Sequence, residues 1–323
     1  MAMRTRRFFA FLAALSIAWS APAPAAHLHY GWQKVDGLNL FYREGGRADA
    51  PTILFLHGNP TSSIEYDELM QNLLDAEDVH VLALDYPSFG YSDAPDHLSY
   101  RYTFDHLSET VRHFLQAKGV SRYALYMQDY GVPVGFRLIA DDPRAITAII
   151  VQNGVIHLDG FPAAQDPNGE LRRHWQHRNP AVDARREGYT AAQKFPSPDG
   201  WEYAGDMSPD VILSMKDSSQ RPGVIEGRND LWFDYGNNVK NYPAWQALLR
   251  KMTVPVLVLW GDRDDFFTWP GAVAFLRDAP KAEVHIFDGD HFAALQQPDV
   301  VSPLLENFLS KHRNALLPPK TGK

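Results

Sequence analysis

Short apolar runs separated by stretches of helical periodicity dominate the first half of the chain. Ile53 to Leu56 is unbroken and ends at His57-Gly58. Val79 to Leu84 closes at Asp85-Tyr86-Pro87, Tyr123 to Met127 leads into Gln128-Asp129-Tyr130-Gly131, and Ile146 to Val151 is another such run. Runs without polar alternation suit strands buried on both faces of a parallel sheet. Upstream, Asp36-Gly37 sits between apolar stretches from Trp32 to Tyr42, a hairpin signal. Phe104 to Ala117 has helical periodicity and stops before Gly119. Alternating strands and helices predict a mostly parallel central sheet with helices on both faces, an α/β fold.

The grammar changes after the sixth predicted strand. Residues 155–250 are rich in Trp, Tyr, Arg, Asp and Pro and carry no clear buried strand, which predicts a mainly helical cap inserted there. Strand grammar resumes at Val254 to Gly261 and at Glu283 to Phe287, and a last helix is predicted from about Val300 to Lys311. The expected organisation is a core of residues 26–154 and 251–315, a cap of 155–250 and a frayed tail of 316–323.

Composition narrows the class. Of 323 residues, 45% are hydrophobic and 12% aromatic, enough for a full globular core. A net charge of -8, with no long block of like charge, argues against a nucleic-acid partner, which would call for clustered positive charge. At the N-terminus, Arg4, Arg6 and Arg7 precede an apolar run from Phe8 to Trp19 that is too short to span a bilayer. Ala23-Pro24-Ala25 then supplies a small-residue cleavage site. Residues 1–25 are therefore expected to be a cleavable signal that sends the protein to the periplasm or outside the cell. Thr5-Arg6-Arg7-Phe8-Phe9 is similar to a twin-arginine signal, so the Sec and twin-arginine routes both stay open. There is no cysteine, so no disulfide is needed in an oxidising compartment.

Candidate chemistry centres on Asp129. A strand, a sharp turn and a helix start around it give the context of a nucleophile elbow, whose usual form is G-x-S-x-G. A serine must lose a proton before it attacks. An aspartate, with an ordinary pKa of about 3.9, is already ionised at neutral pH. It displaces a leaving group directly and forms an ester. Attack on a carbonyl would leave a labile anhydride, whereas attack on a saturated carbon leaves an ester that water can cleave. Alkyl halides and epoxides are thus expected before esters or amides. Taken alone, Asp129 also reads as a helix N-cap and His291 as a surface loop histidine. Asp264 has Asp262 and Asp265 as near neighbours, and is preferred by its offset from Gly261. His285 reads as structural, and His27 and His29 as a flexible, inert terminus rather than metal ligands.

Together these elements resemble the α/β-hydrolase superfamily and, within it, the aspartate-nucleophile branch of haloalkane dehalogenases and epoxide hydrolases. The resemblance rests on Leu56-His-Gly-Asn-Pro-Thr-Ser-Ser63, on Asp85-Tyr-Pro-Ser-Phe-Gly-Tyr-Ser-Asp-Ala-Pro95 and on Gln128-Asp-Tyr-Gly131. It implies an α/β-hydrolase fold with nucleophile, acid and base in chain order, here Asp129, Asp264 and His291. His291 would activate a water and Asp264 would orient its imidazole. The Asn59 segment and Tyr130 would lend backbone N–H groups to an oxyanion formed on Asp129 itself.

The resemblance also frames substrate choice. In dehalogenases the residue at Asn59 donates its side-chain amide to the halide, which puts haloalkanes first. The tryptophan those enzymes carry after the nucleophile is Tyr130 here. Epoxide hydrolases use cap tyrosines instead, and Asp234-Tyr235-Gly-Asn-Asn238 looks like the region that supplies one; Tyr189, Tyr203 and Tyr242 are further candidates. No arginine pair to clamp a haloacid is apparent. Trp175, Trp201, Trp232 and Trp245 point to an apolar pocket for a small hydrophobic substrate that reacts with water. No metal or organic cofactor is implied. An esterase- or lactonase-like hydrolase with Asp129 as base, and a non-catalytic binding protein on the same fold, are the competing readings.

Overall fold

The computed structural model describes residues 27–161, 166, 168–185 and 207–317. The sheet has eight strands: β1 (His29–Val35), β2 (Leu38–Gly45), β3 (Thr52–Leu56), β4 (His80–Leu84), β5 (Tyr123–Gln128), β6 (Ile146–Gln152), β7 (Val256–Gly261) and β8 (Glu283–Phe287). Their spatial order is β1-β2-β4-β3-β5-β6-β7-β8. The expected hairpin joins β1 and β2, and β2 runs antiparallel to β4; every other pairing is parallel. Asp36 and Gly37 both take positive φ at its turn, 52° and 86°, which matches the twist of the strands they join. His29, read from sequence as part of a flexible terminus, instead opens β1 opposite Glu44.

The unbroken apolar runs form the central strands because both faces are covered. Leu54, Leu56, Leu82, Leu125, Ile149 and Val151 face one core, with Leu107, Val111 and Phe114 of α2 (Phe104–Ala117) and Val134 and Leu138 of α3 (Gly131–Asp141). The alternate residues Ile53, Phe55, Val81, Tyr126, Ile150 and Leu257 face a second core, with Leu69 and Leu73 of α1 (Asp67–Ala76). The period of two splits each run between the cores. Each fully buried large apolar side chain contributes about 1.5–3 kcal/mol.

Between β6 and β7 the described elements are helical: α4 (Glu170–Gln176), α5 (Pro209–Ser219) and the long α6 (Val224–Leu249). Leu231, Tyr235, Tyr242 and Trp245 of α6 belong to the first core rather than to a core of their own. Polar ties fix this layer in place. Asp234 accepts from the Phe104 amide at 2.8 Å, capping the first turn of α2, and Arg137 of α3 donates to Asn238 at 2.8 Å. The tyrosines of α6 are thereby held beside the C-terminal ends of the strands. Among the described residues no helix is long and apolar enough to cross a membrane. Residues 1–25, expected from sequence to be a cleavable signal, and Tyr189, Tyr203 and Trp201 lie outside the described residues.

Candidate active site

Asp129 follows β5 with φ of 47°, a left-handed conformation rare for a residue with a side chain. The turn lifts its carboxylate above the sheet end while α3 starts two residues later. The elbow is tight on all sides. A Cβ on Gly58 would lie 2.4 Å from the Asp129 Cβ, and one on Gly131 would lie 2.0 Å from the Leu56 carbonyl oxygen. Both positions therefore need glycine. The close approach lets the Asn59 amide donate to Asp129 Oδ1 at 2.7 Å.

His291, in the loop after β8, is buried with its Nε2 3.9 Å from Asp129 Oδ2. Its Nδ1 lies 2.9 Å from Asp264 Oδ2. Asp264 is placed by four contacts. Its Oδ1 accepts from the amides of Phe266 and Phe267 at 2.7 and 3.0 Å, and its Oδ2 accepts from Asn153 Nδ2 at 2.8 Å and meets His291. The other three contacts to Asp264 all come from donors, and a carboxylate oxygen accepts, so Nδ1 of His291 carries the proton and Nε2 is left as the base. Burial pulls the His291 pKa down, but Asp264 and then Asp129 outweigh it and raise the net value. His57 differs. Burial drives its pKa down to about 3, against the pull of its bond to Gly58. The neutral ring donates from Nδ1 to the Gly58 carbonyl at 2.8 Å and accepts the Tyr86 amide at 3.2 Å. It pins the loop that carries Asn59.

A carboxylate on an elbow, an amide on one of its oxygens and an oriented imidazole beside the other make an arrangement able to support nucleophilic catalysis. The α/β hydrolase fold model matches residues 51–298, most of the chain. The chain is an α/β-hydrolase. Its relatives point to one branch. It is 36% identical to an uncharacterized hydrolase of Saccharomyces cerevisiae, over 81% of this chain and 90% of that protein. It is 24% identical to Epoxide hydrolase 2 of Caenorhabditis elegans, over 86% and 79%. The solved structure of a haloalkane dehalogenase from Bradyrhizobium elkani has the same fold, with a TM-score of 0.71 at 21% identity and coverage of 90% and 99%.

The hydrolase groups with haloalkane dehalogenases and epoxide hydrolases: it is 33% identical to a haloalkane dehalogenase of Mycolicibacterium paratuberculosis, over 70% of this chain and 72% of that protein. Of the three aspartates after β7, Asp264 is the buried one that meets the histidine, while Asp262 and Asp265 are exposed. Tyr130 is buried, its ring edge-on to Phe104 at 4.9 Å and tilted against Tyr235 at 5.9 Å. The hydroxyls of Tyr235 and Tyr242, two helical turns apart on α6, lie 3.4 Å from each other. Burial first, then mutual contact and the Asp129 charge, raise the Tyr235 pKa well above 10; burial also raises that of Tyr242. Both phenols keep their protons at neutral pH. Trp175 stacks on Tyr235 at 5.5 Å, with its indole N–H buried and unpartnered. Trp232 also contacts Tyr235, whereas Trp245 packs between Phe136 and Tyr242 as part of the core.

Sequence reasoning missed several residues of the hydrolase's site. Gln128 places its Nε2 2.9 Å from His291 Nε2 and 3.3 Å from the His291 carbonyl. Asn153, at φ of 41°, links β6 to the Asp264 loop; Asn153-Gly154 is a turn signal that would have flagged it. Thr61 and Glu65 lie buried beneath the Asn59 loop.

Proposed function

We propose that this hydrolase opens epoxides to diols through a covalent ester on Asp129. The observation that carries the reading is the pair of buried phenols, Tyr235 and Tyr242, 3.4 Å apart and within electrostatic reach of Asp129. The resemblance alone ranks halides first. A halide leaves as a stable anion and needs only N–H donors. An epoxide oxygen leaves as a strongly basic alkoxide and needs a proton from a positioned acid. Two protonated phenols within electrostatic reach of a carboxylate meet the second need.

In this reading an Asp129 oxygen attacks an epoxide carbon. The C–O bond breaks, and its electron pair takes a proton from a phenol. Water then gives a proton to His291 Nε2 and adds to the Asp129 carboxyl carbon. The oxyanion forms on Oδ1 against the Asn59 amide, with the Tyr130 amide as second donor. Collapse releases the diol oxygen, which takes the imidazolium proton. The carboxylic acid left on Asp129 loses its proton, which restores the phenol.

One observation favours the dehalogenase reading: the buried, unpartnered N–H of Trp175 beside Tyr235 would suit a departing halide together with Asn59. Nothing comparable favours an esterase or a binding protein. A paired assay separates the two main readings. With styrene oxide and 1-bromobutane, the epoxide reading expects diol formation that Tyr235→Phe and Tyr242→Phe each depress. Bromide release without diol formation contradicts it. We also infer export through residues 1–25; recovery of a periplasmic form beginning at Ala26 would support this, and a full-length cytoplasmic form would oppose it.

A further inference from the structure

We propose that Glu65 is a positioning residue that acts through Thr61 on the peptide group joining Gly58 to Asn59, and so sets the donor strength of the Asn59 amide toward Asp129. The inference rests on the covalent mechanism above but not on the leaving group. Glu65 lies in the 3₁₀ turn Ser63–Tyr66 and is 1% exposed. Its Oε2 is 2.6 Å from the Thr61 hydroxyl, and its Oε1 is buried without a partner. The same Thr61 hydroxyl is 3.2 Å from the Gly58 carbonyl. That carbonyl shares its peptide group with the Asn59 N–H, which reaches Asp129 Oδ1 at 2.7 Å.

One hydroxyl has one proton, so its two acceptors compete. When Glu65 is ionised, Thr61 donates to the carboxylate in a short charge-assisted bond. When Glu65 is protonated it donates to Thr61, and the Thr61 proton turns to the Gly58 carbonyl. Donation to a peptide C=O polarises the N–H of the same group, because linked hydrogen bonds reinforce one another. The groups facing Glu65 are His291 and Asp129 from the loops above it, Tyr66 on its own turn, Tyr86 after β4 and Tyr126 on β5. Burial raises its pKa to about 7, partly offset by Thr61 and His291. Both states are therefore populated in the working range.

The consequences differ in sign for the two half-reactions. A stronger Asn59 donor stabilises the free carboxylate and slows its alkylation. The same donor stabilises the oxyanion and speeds ester hydrolysis. A direct field of Glu65 on His291 would act without Thr61, and a merely structural role would lower both rates together.

The test is a double-mutant cycle of Glu65→Leu and Thr61→Val at pH 8.5. Rapid quench and intact-mass analysis with styrene oxide follow the Asp129 adduct. Glu65→Leu frees Thr61 to bond Gly58, so alkylation should slow and hydrolysis should quicken, each about two- to three-fold. In the Thr61→Val background the same change should leave the ratio of the two rates where it was. Between pH 8.5 and 6, the alkylation rate of Thr61→Ser should follow that of the wild type, and Thr61→Val should lose the Glu65 component. This comparison serves even if Glu65→Leu fails to fold. An equal effect of Glu65→Leu with and without Thr61, or identical pH responses of Thr61→Ser and Thr61→Val, overturns the proposal. Absence of any adduct overturns instead the covalent mechanism on which it rests.

Discussion

Replacing Asp264 by Asn should damage one half of the reaction and spare the other. Each Asp264 oxygen faces donors only: two backbone amides on Oδ1, and Asn153 Nδ2 with His291 Nδ1 on Oδ2. An Asn amide nitrogen placed on either side therefore meets a donor and leaves a bond unmade. Losing a hydrogen bond to a charged group costs about 1.5–3 kcal/mol. At 1.36 kcal/mol per decade, that is a fall of about 10- to 150-fold in ester hydrolysis, where His291 becomes cationic. Alkylation needs no proton transfer to His291 and should change by less than about three-fold on the same scale. The pH profile should move as well. Hydrolysis requires neutral His291, so its rate rises with pH through the raised His291 pKa. Without the Asp264 charge that pKa falls, and the acid limb shifts to lower pH while the plateau drops. Rapid-quench mass spectrometry across pH reads both quantities. Equal losses in the two half-reactions, or an acid limb that stays in place, would refute the orienting role of Asp264.

Three further outcomes follow. Asp129→Asn should abolish turnover while the melting temperature stays within a few degrees, since an amide oxygen still accepts the Asn59 N–H; a surviving rate removes Asp129 as nucleophile. Tyr235→Phe should cut epoxide opening by about 10²–10³-fold, the usual cost of one donor to a developing oxyanion, and bromide release far less; equal loss on both substrates would contradict the acid role. Glu65→Leu should raise thermal stability more at pH 8 than at pH 5. The carboxyl's folded pKa, pushed up to about 7, lies above its ordinary value, so folding is favoured below about 4.5 and penalised as pH rises through 7. A pH-independent effect on the melting temperature would show that Glu65 does not titrate there.

Much of this site was legible in the chain because its parts sit at strand ends, where sequence signals are sharpest. Unbroken apolar runs marked the doubly covered strands, and the residues just after them, Asp129, Asp264 and His291, are those the sheet order brings together. Gln128, Asn153 and Glu65 left weaker marks. Their roles depend on contacts with residues 163, 111 and 4 positions away, and only the last is local. Glu65 was hidden for a further reason: a charged residue in a polar-looking turn reads as solvent-exposed, and only packing shows it is buried. Tyr242 was one of several cap tyrosines until α6 set its hydroxyl against that of Tyr235.

The central claim is a covalent ester on Asp129 that His291 is needed to hydrolyse. Intact-mass analysis of His291→Gln after incubation with styrene oxide, followed by peptide mapping, tests it most directly. The account predicts a stable adduct of one substrate mass on the peptide that carries Asp129. An unmodified protein, or a substrate mass on any other residue, would contradict it.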